Sequence, residues 1–131
     1  MNSKNHKKVI LVNYITFIIN LKHQTRNNLK IKLNVMQFLL IACDGTDPEA
    51  ENRRTGARPL HLEKIGKLKR RGEFIFGGAI LNNEEKMTGS VILYDFPDRK
   101  TMDERLKGEP YINEGVWKEI KIMPFRLAQI E

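Results

Sequence analysis

The sequence predicts an α+β domain over residues 36–131, with elements in the order strand, helix, strand, strand, helix, strand. Three observations carry that prediction. Four apolar runs of strand length, residues 37–43, 73–81, 87–96 and 117–130, are bounded by turn residues. Between the first and second runs, and between the third and fourth, lie charged stretches with apolar residues at helical spacing. The polar residues 82–86 join the second run to the third, which is a hairpin connection.

The first run, Phe38-Leu39-Leu40-Ile41-Ala42, reads as a strand buried on both faces and stopped by Asp44-Gly45-Thr46-Asp47-Pro48, a dense turn signal. Residues 49–71 read as helix, interrupted by Gly56 and Pro59. Pro59 has no amide hydrogen and disfavours helix at Arg58, so either a kink or a helix that restarts with Pro59 in its first turn is expected. Past it, His61, Ile65 and Leu68 fall at i, i+4 and i+7, which puts His61 on the inward face. Arg70, Arg71 and Gly72 end the helix, because cations suit its C-terminus and Gly takes the left-handed conformation. In the second strand, Gly77 and Gly78 mark a bulge or a close backbone approach. Val91 to Tyr94 fill the third strand, and Pro97-Asp98 starts a helix that ends at Lys107-Gly108. Ile120, Ile122 and Phe125 alternate in the last strand. The order is the split ferredoxin-like βαββαβ arrangement, a four-stranded antiparallel sheet with helices on one face. Its other face is apolar and bare, so a homodimer that packs the two sheets together is expected.

The formal charge of +7 is unevenly placed. Of the 23 Lys and Arg, seven lie within residues 1–35, where there is no acidic residue; the domain carries the other 16 against all 16 Asp and Glu. A nucleic-acid partner would need basic residues displayed on a folded face, which a neutral domain lacks, so none is expected. The apolar run 9–21 is broken by Asn13, Thr16 and Asn20 and falls short of the roughly 20 apolar residues of a spanning helix, so no membrane partner is expected either. Leu21-Lys22-His23-Gln24 offers no small-residue cleavage site. Residues 1–35 therefore read as a basic extension outside the native domain start at Met36, disordered or weakly helical around 9–21. The alternative is a basic arm that touches membrane or nucleic acid through charge alone. Cys43 is the only cysteine, which allows no intramolecular disulfide, and a cytoplasmic location is expected.

His61 is the only histidine of the domain, and Glu109, in Glu109-Pro110-Tyr111, is a carboxylate that the element order brings toward the same cleft. A histidine held by a carboxylate moves protons near neutral pH. Taken alone, His61 also fits a core histidine bonded to a backbone carbonyl, and Glu109 fits a surface carboxylate capping the turn before Pro110. Arg54 and Arg58 either offer a planar donor fork to an anionic substrate or, on a charged helix, are solvated or paired with Glu51 and Asp44. Tyr111 and Trp117 either line an aromatic pocket or pack in the core. Cys43 would be a nucleophile only with His61 as its base. One histidine with scattered carboxylates is a poor zinc set, so no metal is expected, and no Gly-rich phosphate loop or serine-triad motif is present.

Asp44, Arg58-Pro59-Leu60-His61-Leu62, Gly77-Gly78, Thr88-Gly89-Ser90, Glu109-Pro110-Tyr111, Gly115-Val116 and Pro124-Phe125 form an ordered set spanning nearly the whole domain. With that set, residues 36–131 resemble the YCII-related family; residues 1–35 have no counterpart. The resemblance implies a dimeric α+β barrel with a His and Asp dyad in a cleft, one activity type among relatives being removal of chloride from a hydroxylated aromatic. The chain departs at two positions. Glu109 stands where the family usually has Asp, which moves the carboxylate by about one carbon bond, and Ala79 stands where relatives often carry Pro. The expected site is His61 and Glu109 as the catalytic pair, with Arg58 and Tyr111 binding substrate and no cofactor. The expected function is a small-molecule enzyme using general acid-base chemistry, lyase-like or isomerase-like, on hydroxylated or halogenated ring compounds. A non-catalytic dimeric module for a small ligand, or an accessory subunit, is the alternative.

Overall fold

The computed structural model describes residues 11–23 and 35–131. Residues 11–23 form a helix, α1, whose side chains are almost all exposed. The sequence expectation of weak helicity over 9–21 falls on α1 from residue 11 onward; the rest of the basic extension, residues 1–10 and 24–34, lies outside the described residues. A boundary at Asn34/Val35 separates two units of the chain. Among the described residues no helix is long and apolar enough to cross a membrane.

The second unit has the ferredoxin-like α+β fold. β1 (Met36–Asp44) runs between β3 (Met87–Phe96) and β4 (Trp117–Phe125), antiparallel to both, and β2 (Phe74–Leu81) pairs with the outer side of β3. α2 (Ala50–Arg71) connects β1 to β2, and two helices, α3 (Arg99–Leu106) and α4 (Pro110–Asn113), lie between β3 and β4. Successive residues of a strand point to opposite faces. Phe38, Leu40 and Ala42 of β1 and Ile92, Tyr94 and Phe96 of β3 accordingly face the helices, where they form one core with Ala57, Leu68, Met102, Leu106, Tyr111 and Val116. Leu39 and Ile41, on the opposite face of β1, are only half-buried, so the first strand is not buried on both faces as its unbroken apolar run suggests.

α2 neither ends nor restarts at Pro59; it runs unbroken through it. Pro59 removes the amide that would serve the Thr55 carbonyl, and both residues are exposed, so the helix leaves that carbonyl on its solvent side. The face that matters holds Arg54, Ala57, His61 and Leu68, all buried. Gly72, with φ of 75°, closes the helix through its N–H to the carbonyls of Leu68 and Lys69. β4 stops at Phe125, which pairs with Gln37 near the start of β1, and does not continue to residue 130. The Gln37 side chain then accepts the Leu127 N–H at 2.6 Å. In β2 register shifts fall between Phe74 and Phe76 and between Ile80 and Leu81, on either side of the glycines and not at them. Gly77 is instead a close approach, since a Cβ there would lie 2.9 Å from Phe74 and 3.2 Å from Ile92.

Candidate active site

α4 is one turn long, and Glu109 starts it. Glu109 Oε1 accepts the Tyr111 N–H at 3.0 Å, and Pro110 follows in the first helical position, where a missing amide is no loss. The same Oε1 lies 2.6 Å from His61 Nδ1. Glu109 is wholly buried and His61 is 7% exposed, so this is an interior pair and not a surface contact. A buried carboxylate needs donors to remain charged; here two converge on Oε1, while Oε2 has none among the described residues. The bond also assigns the imidazole. With Glu109 as carboxylate, Nδ1 carries the hydrogen and donates it, and Nε2 is left with its lone pair. The extra methylene of Glu109 is accommodated without loss of contact.

Aromatic rings hold the imidazole in place. Tyr111 stacks on it with centroids 3.9 Å apart and planes 10° from parallel, and Trp117 meets it edge-on at 5.9 Å. Tyr111 has no exposed surface, so the residue expected to touch substrate is instead the platform under His61. Burial, reinforced by the Glu109 charge, pushes the Tyr94 phenol well above its usual range. Burial also lowers the Lys64 ammonium, with Glu109 acting the other way. Lys64 donates to the Arg105 carbonyl.

Two turns before His61, Arg54 is 3% exposed and closes a second network. Its Nη1 donates to both oxygens of Asp44 at 2.8 and 2.9 Å, and its Nη2 donates to the Gly89 carbonyl and Ser90 Oγ, each at 3.0 Å. Trp117 Nε1 also donates to Ser90 Oγ, at 3.1 Å. A side chain at position 89 would collide with the Ala42 carbonyl, so the close β1–β3 approach that positions these acceptors requires glycine. Arg54 is thus paired with Asp44, one of the alternatives the sequence leaves open, and its guanidinium also lies 4.8 Å over the Tyr111 ring.

A cleft of about 140 Å³ opens beside His61. Arg54, Arg58, His61, Leu62 and Ile65 of α2 form one wall; Phe74, Gly77, Gly78 and Ala79 of β2 and Ser90 and Ile92 of β3 form the other. Arg58 is half-buried and, among the described residues, meets only Met87 Sδ at 3.3 Å, so its guanidinium faces the cleft without a carboxylate. Cys43 alternates with core-facing Ala42 and points away from His61, which removes its only candidate base. Among the described residues no group of three His, Cys, Asp or Glu is placed to hold a metal ion. The sequence reading missed the structural roles of Arg54 and Ser90. Ser90 stood in Thr88-Gly89-Ser90, but nothing in that tripeptide shows that Arg54, 36 residues earlier, would reach it.

Comparison with known proteins fits this geometry. Residues 36–126 match the YCII-related domain, and the chain belongs to that family. Among solved structures, 5-chloro-2-hydroxyhydroquinone dehydrochlorinase from Burkholderia phenoliruptrix AC1100, in complex with 2,5-dihydroxybenzoquinone, is similar at a TM-score of 0.61 and 19% identity, over 71% of this chain and 96% of that one. A putative antibiotic biosynthesis monooxygenase from Nitrosomonas europaea is similar at a TM-score of 0.43 and 16% identity, over 70% and 88%. At these identities the likeness is one of fold. The comparison with curated proteins finds no match.

Proposed function

We propose that the chain is a small-molecule enzyme in which His61 moves a proton and Glu109 holds it in the productive tautomer. One observation carries this reading: a wholly buried carboxylate bonds Nδ1 of His61 at 2.6 Å, Nε2 has no partner among the described residues, and His61 lines a cleft. A core histidine satisfied by the backbone would have no use for a buried charge. Arg58, which pairs with no carboxylate among the described residues, supplies a cation for an anionic or oxo group.

The ligand class follows from the cleft. A cavity of about 150 Å³ holds a benzene-sized molecule, so a volume of about 140 Å³ suits a single ring. Leu62, Ile65, Phe74 and Ile92 offer apolar contact, and His61, Arg58 and Ser90 offer polar contact. We therefore assign a lyase-like or isomerase-like reaction on a hydroxylated ring, and the dehydrochlorinase makes a halogenated ring a reasonable first substrate. Nε2 takes a proton from a ring O–H or C–H. In an elimination that proton and the departing halide leave as HX, and in an isomerisation the proton returns at another ring position. Both reactions are redox-neutral. Incubation with a panel of hydroxylated rings, including 5-chloro-2-hydroxyhydroquinone, followed by mass spectrometry of retained ligands and changed products, tests the reading. Turnover that disappears in His61→Ala supports it; turnover that survives the change overturns the role, and retention of a ring without turnover favours a binding module.

The sheet face away from the helices carries Leu39, Ile41, Phe76, Met123 and Phe125, the last three more than a third exposed. We assign it to a second copy of the chain, because such a face is poorly suited to water. A chain beginning at Met36 should sediment as a dimer at micromolar concentration, and a well-folded monomer would refute the assignment.

A further inference from the structure

We propose that Ser90 is a specificity-determining donor of the cleft, its hydroxyl hydrogen reserved for an oxygen of the bound ring. The argument is one of valence. A hydroxyl has one hydrogen and two lone pairs. Arg54 Nη2 donates into Ser90 Oγ at 3.0 Å and Trp117 Nε1 donates into it at 3.1 Å. Neither an arginine N–H nor an indole N–H accepts a bond, so both lone pairs are occupied and the hydrogen must point elsewhere. Among the described residues it has no acceptor, and Ser90 borders the cleft.

The two donors do more than occupy Oγ. They hold the side chain in one rotamer, and donation from a guanidinium polarises the O–H, which strengthens it as a donor. At 3% exposure little water competes for it. Among the cleft's side chains, His61 then offers an acceptor, Nε2, while Ser90 O–H, the Arg58 guanidinium and Arg54 Nε, buried without a partner among the described residues, are donors. The complementary ligand is a ring with a proton to give at one position and a carbonyl or phenolate oxygen at another, a hydroxy-oxo or hydroxyquinone pattern. This ligand class rests on His61 acting as the base; the donor role of Ser90 does not.

Two measurements separate those claims. Neutron diffraction from crystals of the deuterated protein locates the Ser90 deuteron. Density on the cleft side supports the donor role, and density directed at Arg54 or Trp117 overturns it, whatever the ligand proves to be. Titration with 2,5-dihydroxybenzoquinone, followed by its absorbance, then compares the unaltered protein with Ser90→Ala and Ser90→Thr. Loss of a hydrogen bond to a charged acceptor corresponds to roughly 10- to 100-fold weaker binding, so Ser90→Ala is expected to fall in that range. Ser90→Thr, which keeps the hydroxyl, should recover affinity to within about threefold. Recovery also separates ligand contact from mere support of Arg54. Equal affinity in Ser90→Ala and the unaltered protein would overturn the proposal. Failure of the base assignment has a different signature, turnover that persists in His61→Ala, and absence of binding by the unaltered protein removes the hydroxyquinone class while the deuteron position still decides the donor role.

Discussion

Arg54 and His61 stand two turns apart on one face of α2, and each meets a buried carboxylate, but the two pairings differ in what they leave over. At Arg54 both terminal nitrogens find protein acceptors, the Asp44 carboxylate, the Gly89 carbonyl and Ser90 Oγ. At His61 Nδ1 is taken by Glu109, while Nε2 has no partner among the described residues and His61 lines the cleft. At Arg54 only Nε, buried away from solvent, lacks a partner among the described residues, so its network positions; at His61 the atom left over is a proton acceptor, which suits chemistry. Loss of either partner strips a donor from a buried carboxylate and costs stability, but only the His61 pair is expected to govern chemistry as well.

The largest expected effect is on chemistry at the His61 pair. His61→Ala should lower turnover on any accepted ring substrate by up to about 10⁴-fold while circular dichroism and the unfolding transition still report a folded domain. At the Arg54 pair the effect expected first is on stability. Arg54→Met leaves Asp44 buried without its cation, and loss of one partner of a buried pair costs about 3–5 kcal/mol, measurable as a lower urea midpoint. A smaller unfolding cost than that of an exposed ion pair would abolish the contrast. Glu109→Asp sharpens the comparison, because it restores the usual family residue but shortens the reach to Nδ1. A misplacement of about 1 Å in a positioned reaction costs up to about a hundredfold, so kcat should fall with little change in stability, provided α4 does not shift to follow.

The smallest expected effect lies away from both pairs, at Asp98. Its Oδ1 accepts the Thr101 N–H at 2.7 Å at the start of α3, and that backbone bond holds its carboxyl below the usual aspartate range. A depressed folded pKa means that the contribution is present above the unfolded value of about 3.9 and is lost as pH falls through the folded value. Asp98→Asn should therefore lower the thermal midpoint slightly at pH 7 and converge with the unaltered protein in strong acid. A difference that widens on acidification would contradict the assigned cause.

Much of this arrangement is legible in the chain because it is local. The inward face of His61 follows from its spacing to Ile65 and Leu68, and the cap at Asp98 follows from its place before a helical run. α4 was not legible: Pro110-Tyr111-Ile112-Asn113 is too short to show a period, and only Glu-Pro at its head hints at a helix start. The end of β4 at Phe125, opposite Gln37 near the start of β1, is encoded in no local pattern. Continuity of α2 through Pro59 depends on both Pro59 and Thr55 facing solvent. The same holds in the site. His61 and Glu109 were marked by motifs, whereas the burial of Tyr111 beneath the imidazole and the reach of Arg54 to Ser90 arise only when α2, β3 and α4 meet.

The central claim is that Glu109 fixes His61 with its hydrogen on Nδ1 and its lone pair on Nε2. Nitrogen-15 NMR of the His61 ring, at a pH where the imidazole is neutral, reads this directly and needs no substrate. The account predicts a protonated Nδ1 and a bare Nε2, with the two exchanging populations in Glu109→Gln. A bare Nδ1 accepting a hydrogen from a protonated Glu109, with the ring hydrogen on Nε2, would contradict it.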